Sequence, residues 1–490
     1  MSDERDFLRR LKDAQSDDKR TWLITERLLM ALPDDLRQMA YAAAVPHWFD
    51  AKMLAALRPE LKDRAEKLYA ALQTLAFVEP FEGRGYNVHE LTRRLMLDYL
   101  WKKHRDDYVV LARRAADCFA ELVKGERESA NGIDSSLQIE YIYHLLVSDP
   151  EKGADAIRDQ GWTWHDRFDY TYASLNALTH AAREHVDAGR LKGRGIGWGR
   201  LFEGLVAYYH YQHQSATATF LEVIAGNYND SKLNADVRFR LGDVHRDLSE
   251  LPEARARYEE ALPLYRAIGE KLGEANCIQA LGELDAEEEN YTSAFSRLEE
   301  AAMRYCTIGL PANEASAINS IGNIYESQKE YQKAIEAYTR AMALTPDLFG
   351  YVLRNRANVR LKLKDAKNAA SDIEAAAKIQ PDHPYLFLRR GELAILQGSY
   401  EEAVGHFNAA LQHFPRMNGA HFGIGLAYLY IGQLQDAIEA YQHGLAFTYA
   451  RKELKDAIEE LERLQEEQPD LPGISDALTM LRSWQPSSIE

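Results

Sequence analysis

The sequence repeats one pattern of small, alanine and large residues seven times, at intervals of 34–40 residues. Each repeat begins at a small residue: Gly204, Gly242, Gly282, Gly322, Ala357, Gly391 and Gly425. Twelve positions later all seven repeats have an alanine: Ala216, Ala254, Ala294, Ala334, Ala369, Ala403 and Ala437. Four positions further on comes a large residue: Phe220, Tyr258, Leu298, Tyr338, Ile373, Phe407 and Tyr441. Because residues four apart share a helix face, the pattern predicts two helices per repeat, with the large residue filling the space between repeats.

A single pair of helices cannot bury its apolar face alone, so the repeats must stack into a solenoid. Two stretches carry the pattern most clearly, IGNIYESQKEYQKAIEAYTRAMALTP (321–346) and RGELAILQGSYEEAVGHFNAALQHFP (390–415). They resemble the tetratricopeptide repeat (TPR), and the resemblance covers roughly residues 198–450, or about seven repeats. It implies a superhelix of helix pairs that binds a protein or peptide ligand in a concave groove.

The segments outside the repeats are also predicted to be mainly helical. Residues 1–17 are predicted as an N-terminal helix or tail, residues 109–197 as a transitional helical region, and residues 451–490 as C-terminal capping helices. Residues 18–108 combine helical patterns with two strand-like runs, FVEPF and YNV, around Gly83-Arg84-Gly85. Three helices and a hairpin are the layout of a winged-helix domain. The predicted fold class is therefore all-α: a winged helix with a small β-hairpin wing, then an α-solenoid of TPR helix pairs.

The predicted winged helix resembles that of the STAND nucleotidases, the NB-ARC and NACHT signalling ATPases of immunity, apoptosis and antiphage defence. Two stretches carry the resemblance, LITERLLMALPDDLRQMAYAAAVPHWFDAKMLAAL and LYAALQTLAFVEPFEGRGYNVHELTRRLM. Val88-His89-Glu90 stands where the family carries Met-His-Asp, whose histidine contacts the phosphates of bound ADP. The resemblance therefore implies a nucleotide-sensor motif at His89 and Glu90. The phosphate-binding GxxxxGK[ST] loop is not found, so the sequence is predicted to lack the NTPase domain.

Charge and composition exclude several classes of function. The formal charge is −17, from 59 Lys and Arg against 76 Asp and Glu, and such a balance argues against nucleic acid as a partner. No run of about 18 apolar residues is present, so no membrane span is predicted. Three widely spaced cysteines without a CxxC fit a reducing cytoplasm. Because no catalytic, metal or cofactor motif is found, the chain is predicted not to be an enzyme and to need no metal or cofactor.

The resemblance to TPR proteins also predicts where a ligand binds. The first helix of each repeat lines the inner face of a TPR solenoid, at positions one after and three before the small residue. Some TPR domains hold a peptide carboxylate there between asparagine amides and cationic side chains. The predicted peptide-binding groove consists of Asn319, Asn323, Arg354 and Asn358 at these positions, with Lys362 and Arg389 nearby. The favoured function is a protein-interaction or sensor module of a STAND-type signalling or defence assembly, with an NTPase or effector subunit as a further partner.

Two other functions stay open on the sequence. One is a transcriptional regulator with its winged helix on DNA and its repeats sensing. A basic run would favour it: Arg93, Arg94, Lys102, Lys103, Arg105, Arg113 and Arg114. Because acidic residues interrupt this run, a solvated helical face is the preferred interpretation. The other is an enzyme whose site no motif reveals. His210 and His213, three apart on a predicted helix, suggest a metal pair but are interpreted as structural histidines.

Overall fold

The structure is a computed structural model that describes residues 2–127, 134–165, 172–344, 350–446 and 451–484. Over these residues it is all-helical except for one two-stranded hairpin, as the sequence predicts. The chain divides into two compact units, Met1–Ile268 (unit 1) and Gly269–Glu490 (unit 2). This division falls inside the predicted repeat region, so two of the seven repeats belong to unit 1.

Unit 1 begins with short helices and the hairpin. They are α1 (Ser2–Lys12), α2 (Asp17–Ala31), α3 (Asp34–Ala43), α4 (Ala51–Leu57), a 3₁₀ segment (Pro59–Arg64), α5 (Ala65–Leu72), β1 (Val78–Phe81), β2 (Gly85–Val88) and α6 (Glu90–Lys103). Longer helices follow: α7 (Arg105–Arg127), α8 (Ser135–Ser148), α9 (Pro150–His165), α10 (Ala173–Asp187), α11 (Arg194–Tyr209), α12 (His213–Gly226), α13 (Ser231–Asp247) and α14 (Leu251–Ile268).

The hairpin forms where FVEPF and YNV predict it. Its strands pair antiparallel, with Val78 opposite Val88. Phe49 adds a bridge, because its N–H donates to the Tyr86 carbonyl at 2.7 Å and its carbonyl accepts from the Tyr86 N–H at 3.0 Å. A Cβ at Gly85 would lie 2.5 Å from the Phe49 carbonyl oxygen, so this close approach requires glycine. The hairpin is thereby fixed to the loop that precedes α4.

The predicted boundary at residue 108 falls within α7. The N-terminal elements share their hydrophobic core with α7 and α8. Trp48 packs edge-to-face on Phe119 of α7, with ring centroids 5.4 Å apart. Tyr108 and Leu111, also on α7, belong to the same buried cluster as Phe49 and the first helices. Residues on both sides of the boundary are therefore one packing unit.

Unit 2 consists of helix pairs followed by two terminal helices. The pairs are α15 (Lys271–Glu287) with α16 (Tyr291–Ile308), α17 (Pro311–Ser327) with α18 (Tyr331–Leu344), α19 (Gly350–Lys362) with α20 (Ala366–Ile379), α21 (Pro384–Leu396) with α22 (Tyr400–His413), and α23 (Asn418–Ile431) with α24 (Leu434–Ala446). The terminal helices are α25 (Arg451–Glu467) and α26 (Ile474–Ser483). Each pair is one sequence repeat, and the first helices of successive pairs lie beside one another.

The turns inside the pairs share a feature that the sequence does not reveal. One residue of each turn adopts a left-handed conformation, and only two of these seven residues are glycines: Tyr211, Ser249, Glu289, Lys329, Lys364, Gly398 and Gly432. The N–H of the following residue donates to the carbonyl five residues before it, as Glu330 does to Tyr325 at 2.8 Å. This bond satisfies a carbonyl that the helix end would otherwise leave unpaired.

The large residue of each repeat packs on the small residue of its own repeat, which refines the predicted role between repeats. A Cβ at Gly391 would lie 2.4 Å from Phe407 Cε1, so the ring occupies the space of a side chain. Phe407 also lies against Gly423 of the next repeat, so it fills both spaces. The single repeat with alanine at the small position, Ala357, has the narrower Ile373 in place of a ring or leucine.

Candidate protein-binding site

Five of the six predicted groove residues belong to one hydrogen-bonded network on the first helices α17, α19 and α21. We call this network the polar band. Its members on these helices are Asn319, Asn323, Glu326, Asn355, Asn358, Lys362, Arg389 and Glu392. The Tyr338 hydroxyl of α18 completes the network, because it lies 2.8 Å from Asn323 Oδ1 and 3.1 Å from Glu326 Oε2. Asn355 joins α19 to α17, because its amide donates to Asn319 Oδ1 at 3.1 Å and to Asn323 Oδ1 at 3.3 Å.

Glu326 is the anionic centre of the polar band. Its Oε1 accepts from Asn358 Nδ2 at 2.7 Å and from Lys362 Nζ at 2.9 Å. Its Oε2 accepts from the Tyr338 hydroxyl at 3.1 Å, which ties the band to α18. Burial works against the charged form of Lys362, yet Glu326 raises the pKa of this ammonium group. The carboxylate thus holds two side chains of the next repeat in place.

Arg389 extends the band to α21. Its Nη1 donates to Asn358 Oδ1 at 2.7 Å and to Glu392 Oε1 at 2.6 Å. Three successive repeats are therefore linked by side chains alone. Sequence reasoning missed Glu326 and Asn355, because neither stands at the two counted positions: Glu326 lies four after its small residue and Asn355 two before.

Arg354 lies apart from the polar band. It is buried, and its guanidinium donates to Gln380 Oε1 at 3.0 Å and lies 3.4 Å from His383 Nε2, both in the loop between α20 and α21. Among the described residues no carboxylate forms an ion pair with it. Burial and the nearby charge of Arg389 lower the pKa of Arg354 to about 10. Arg354 is therefore a buried cation without a carboxylate partner among the described residues.

His89 and Glu90 lie at the junction between β2 and α6, and both are exposed. The His89 N–H donates to the Phe77 carbonyl at 2.8 Å, which fixes the backbone of the junction. Neither side chain forms a hydrogen bond or ion pair with another residue in the part of the chain that the structure describes. Both are thus free to contact a group outside this chain.

The basic run lies mainly on solvated helical surface, as the sequence suggested, and Arg93 is the exception. Arg93 is buried and donates to the Val45 carbonyl at 3.1 Å and to the Tyr143 hydroxyl at 3.0 Å, and it forms an ion pair with Glu184 at 3.3 Å. Its neighbour Arg94 is exposed and pairs with an aspartate of α2. The run therefore divides into a structural arginine and ordinary surface cations.

Arg93 belongs to an ionic cluster between the N-terminal helices and α8 and α10. Within this cluster His47 Nδ1 lies 2.7 Å from Glu140 Oε1, and the Tyr143 hydroxyl donates to Glu184 Oε1 at 2.5 Å. Burial opposes ionisation of Glu140, but the neighbouring His47 and His144 hold the pKa of this carboxyl well below its usual range. The cluster is a buried charge network that joins three elements of unit 1.

His210 and His213 do not lie on one helix, so the predicted spacing on a helical face is wrong. A turn separates them, with His210 at the end of α11, His213 at the start of α12 and Tyr211 at φ 58° between them. Across the described ranges, no group of three or more His, Cys, Asp or Glu side chains is placed to hold a metal ion. The described helices include none long and apolar enough to cross a bilayer.

Comparison with solved structures finds several proteins of low similarity to the chain. A Signal Transduction ATPase with Numerous Domains (STAND) protein with a tetratricopeptide repeat sensor from Pyrococcus horikoshii is 13% identical, with a TM-score of 0.48 over 96% of this chain and 68% of that chain. The apo form of RapI is 15% identical, with a TM-score of 0.44 over 53% of this chain and 99% of that one. PilF of Pseudomonas aeruginosa is 16% identical, with a TM-score of 0.35 over 46% and 94%. These similarities are too low to assign a function.

No curated protein matches the chain. Family models do match its repeats, and all of them describe the tetratricopeptide repeat. The matched residues are 233–305, 315–348, 354–416 and 397–448. They cover α13–α24, the helix pairs in which a large residue packs on a small one. The helix pairs between residues 233 and 448 are therefore tetratricopeptide repeats.

Proposed function

We propose that the chain is a protein-interaction module that acts by binding and not by catalysis. The observation that carries this proposal is the polar band, which spans three repeats and presents amides and cations on one set of helices. An asparagine amide offers two donors and an acceptor, and a lysine offers three donors, so the internal bonds leave capacity for a ligand. Such groups pair with the backbone and the carboxylates of a bound protein segment.

The proposed site comprises the six residues that the sequence indicates. Asn319, Asn323, Asn358, Lys362 and Arg389 contact the ligand from the polar band. Arg354 receives a ligand carboxylate, because its guanidinium has no anionic partner among the described residues. Such a carboxylate would offset the lowered pKa of Arg354 and restore its charge at higher pH.

We further propose that the chain is the sensor part of a STAND-type signalling or defence assembly. The support is the resemblance of residues 18–108 to a STAND winged helix and the exposure of His89 and Glu90 at the strand-to-helix junction. An NTPase subunit would place its nucleotide against His89. If the captured partner is such an NTPase, His89→Ala should speed the release of ADP from the complex, measured with a fluorescent ADP analogue.

The binding proposal predicts that substitutions in the polar band abolish partner capture. A tagged chain carrying Asn358→Ala and Arg389→Ala should recover at least ten-fold less partner from extract than the wild type, measured by quantitative mass spectrometry. The matched control carries Arg340→Ala and Lys378→Ala, two exposed cations on the second helices α18 and α20. Equal recovery by both variants, with unchanged circular dichroism, would show that the partner binds elsewhere.

A further inference from the structure

The penultimate helix, α25, lies against the repeats whose first helices carry the polar band. Its buried leucines pack on the end of the repeat array: Leu454, Leu461 and Leu464 share a cluster with Phe422, Leu426 and Leu429 of α23. Ile395 of α21 is partly buried against the same cluster. The apolar stripe of α25 therefore packs on α21 and α23, which are the first helices of the last two repeats.

The charged side of α25 reaches the two preceding repeats. Glu459 forms an ion pair with Lys329 at 2.8 Å, and Glu467 forms one with Lys364 at 2.9 Å. These lysines are the left-handed residues of the turns after α17 and α19. A helix of 17 residues is about 25 Å long, and it contacts four successive repeats.

Glu460 places α25 beside the polar band itself. The Glu460 side chain is half-exposed and lies 3.6 Å from Arg463, yet desolvation by the surrounding protein groups and the carboxylates of Glu392 and Asp456 raise its pKa to about 7. Glu392 belongs to the band, and the cation of Lys362, also in the band, acts on Glu460 in the opposite direction. This influence agrees with the ion pairs to Lys329 and Lys364, which place α25 along the repeats that carry the polar band.

Helix α25 packs on α26, whose buried Ile474, Leu478 and Leu481 belong to the same cluster, and its own contacts with the repeats are three leucines and two ion pairs. Three leucines are buried, whereas both ion pairs join half-exposed or exposed side chains, and such pairs contribute little in water. Covalent attachment raises the effective concentration of the helix to the millimolar range, which keeps a weak ligand bound. A free ligand of the same chemistry needs only moderately higher affinity to replace it.

We propose that α25 is a displaceable internal ligand, and that the partner presents an acidic amphipathic helix that takes its place. The partner helix would carry leucines seven and three residues apart, as at Leu454, Leu461 and Leu464, and carboxylates that meet Lys329 and Lys364. This inference rests on the proposed function, because it uses the same face of unit 2. It adds to the proposed function the chemical character of the partner helix and a state in which α25 occupies the binding face.

The test is binding of a fluorescent peptide with the sequence of residues 451–467 to the full chain, measured by anisotropy. The wild-type chain should bind the peptide weakly, because its own helix competes. A chain with Leu461→Asp and Leu464→Asp should release α25 and bind the same peptide at least ten-fold more tightly. A chain with Glu466→Ala, an exposed α25 residue, is the matched control and should behave as the wild type. Equal affinity for all three folded chains would overturn the proposal.

A charge exchange tests the same contact without altering the leucines. In a chain with Lys329→Glu and Lys364→Glu, a peptide with Glu459→Lys and Glu467→Lys should bind several-fold more tightly than the unaltered peptide. In the chain with Leu461→Asp and Leu464→Asp, the preference between these peptides should reverse. A preference that does not depend on the charges at Lys329 and Lys364 would contradict the seating of α25 described above.

Protonation of Glu460 gives an independent measurement. Its pKa is raised when α25 is bound, so binding of α25 is favoured as the pH falls from above 7 towards the usual carboxyl value. Glu460→Gln should therefore slow hydrogen exchange in α25 at pH 8, whereas Glu466→Gln should leave it unchanged. The charged groups that act on Glu460 are Lys362, Glu392, Asp456 and Arg463. Equal exchange in both variants would contradict the placement of Glu460 beside the band.

The two proposals fail in different ways. If polar-band variants lose a captured partner but the peptide never competes with α25, the internal-ligand proposal is wrong and the proposed function stands. If the peptide exchanges with α25 but no protein is captured through the band, the face serves only its own helix and the proposed function is wrong.

Discussion

Replacing Arg93 by methionine is expected to lower the free energy of unfolding of unit 1 by about 3 kcal/mol. The substitution removes a buried guanidinium that bonds to the Val45 carbonyl, the Tyr143 hydroxyl and Glu184. The Glu184 carboxylate then has fewer cationic partners, and the buried Val45 carbonyl loses this hydrogen-bond donor. Breaking one partner of a buried ion pair costs more than the pair contributes, because the other charge stays behind. Urea denaturation followed by tryptophan fluorescence measures the change.

Arg94 is the matched control for this prediction. It stands next to Arg93 in sequence, but it is exposed and its Nη2 lies 2.6 Å from Asp18 Oδ2. Exposed ion pairs contribute about 0–1 kcal/mol, so Arg94→Met should shift the urea midpoint little. Similar losses for both substitutions would mean that the ionic cluster around Arg93 does not hold unit 1 together.

Replacing Gly391 by alanine is expected to destabilise unit 2 by about 1–3 kcal/mol, although alanine is the better helix former. The added Cβ would lie 2.4 Å from Phe407 Cε1. The ring cannot move away freely, because it is buried and also lies against Gly423 of the next repeat. The cost therefore comes from overpacking at a contact that recurs through the array.

Gly405 in the same helix pair provides the opposite result. It lies on α22, is exposed, and would have no heavy atom within 4 Å of an added Cβ. Gly405→Ala should therefore stabilise unit 2 by about 0.5–1 kcal/mol through helix propensity. Thermal unfolding monitored by circular dichroism should move in opposite directions for the two variants. A stabilising Gly391→Ala would contradict the ring-on-glycine packing.

The fold was largely predictable from local pattern. The spacing from Gly391 through Ala403 to Phe407 specifies a helix pair, because the residues that make the contact are close in sequence. The hairpin was predictable for the same reason, since its turn residues and both strands lie within a dozen positions. The left-handed Lys329 and Lys364 were not, because lysine has no preference for that conformation and only the return of the chain requires it.

The candidate site was predictable in part. The counted positions find Asn323 and Asn358, but they miss Glu326, whose importance depends on side chains from two neighbouring helices. The burial of Arg93 was missed because its partner Glu184 lies some ninety residues away. The sequence predicts capping helices at residues 451–490, but the ion pairs of α25 with Lys329 and Lys364 were missed in the same way. The narrow apolar stripe of α25 predicts that one face of this helix packs on another part of the protein. Only the fold shows that this part is the first helices of the repeats.

The most direct test of the central claim is photo-crosslinking from the face that carries the polar band. A benzoylphenylalanine placed at Asn323 or Asn355 should give a covalent adduct with a partner protein in cells. The same group placed at Arg340 or Lys378 on the second helices should give none with that protein. Adducts that form equally from the second helices, or only from them, would contradict the account of the polar band as the protein-binding site.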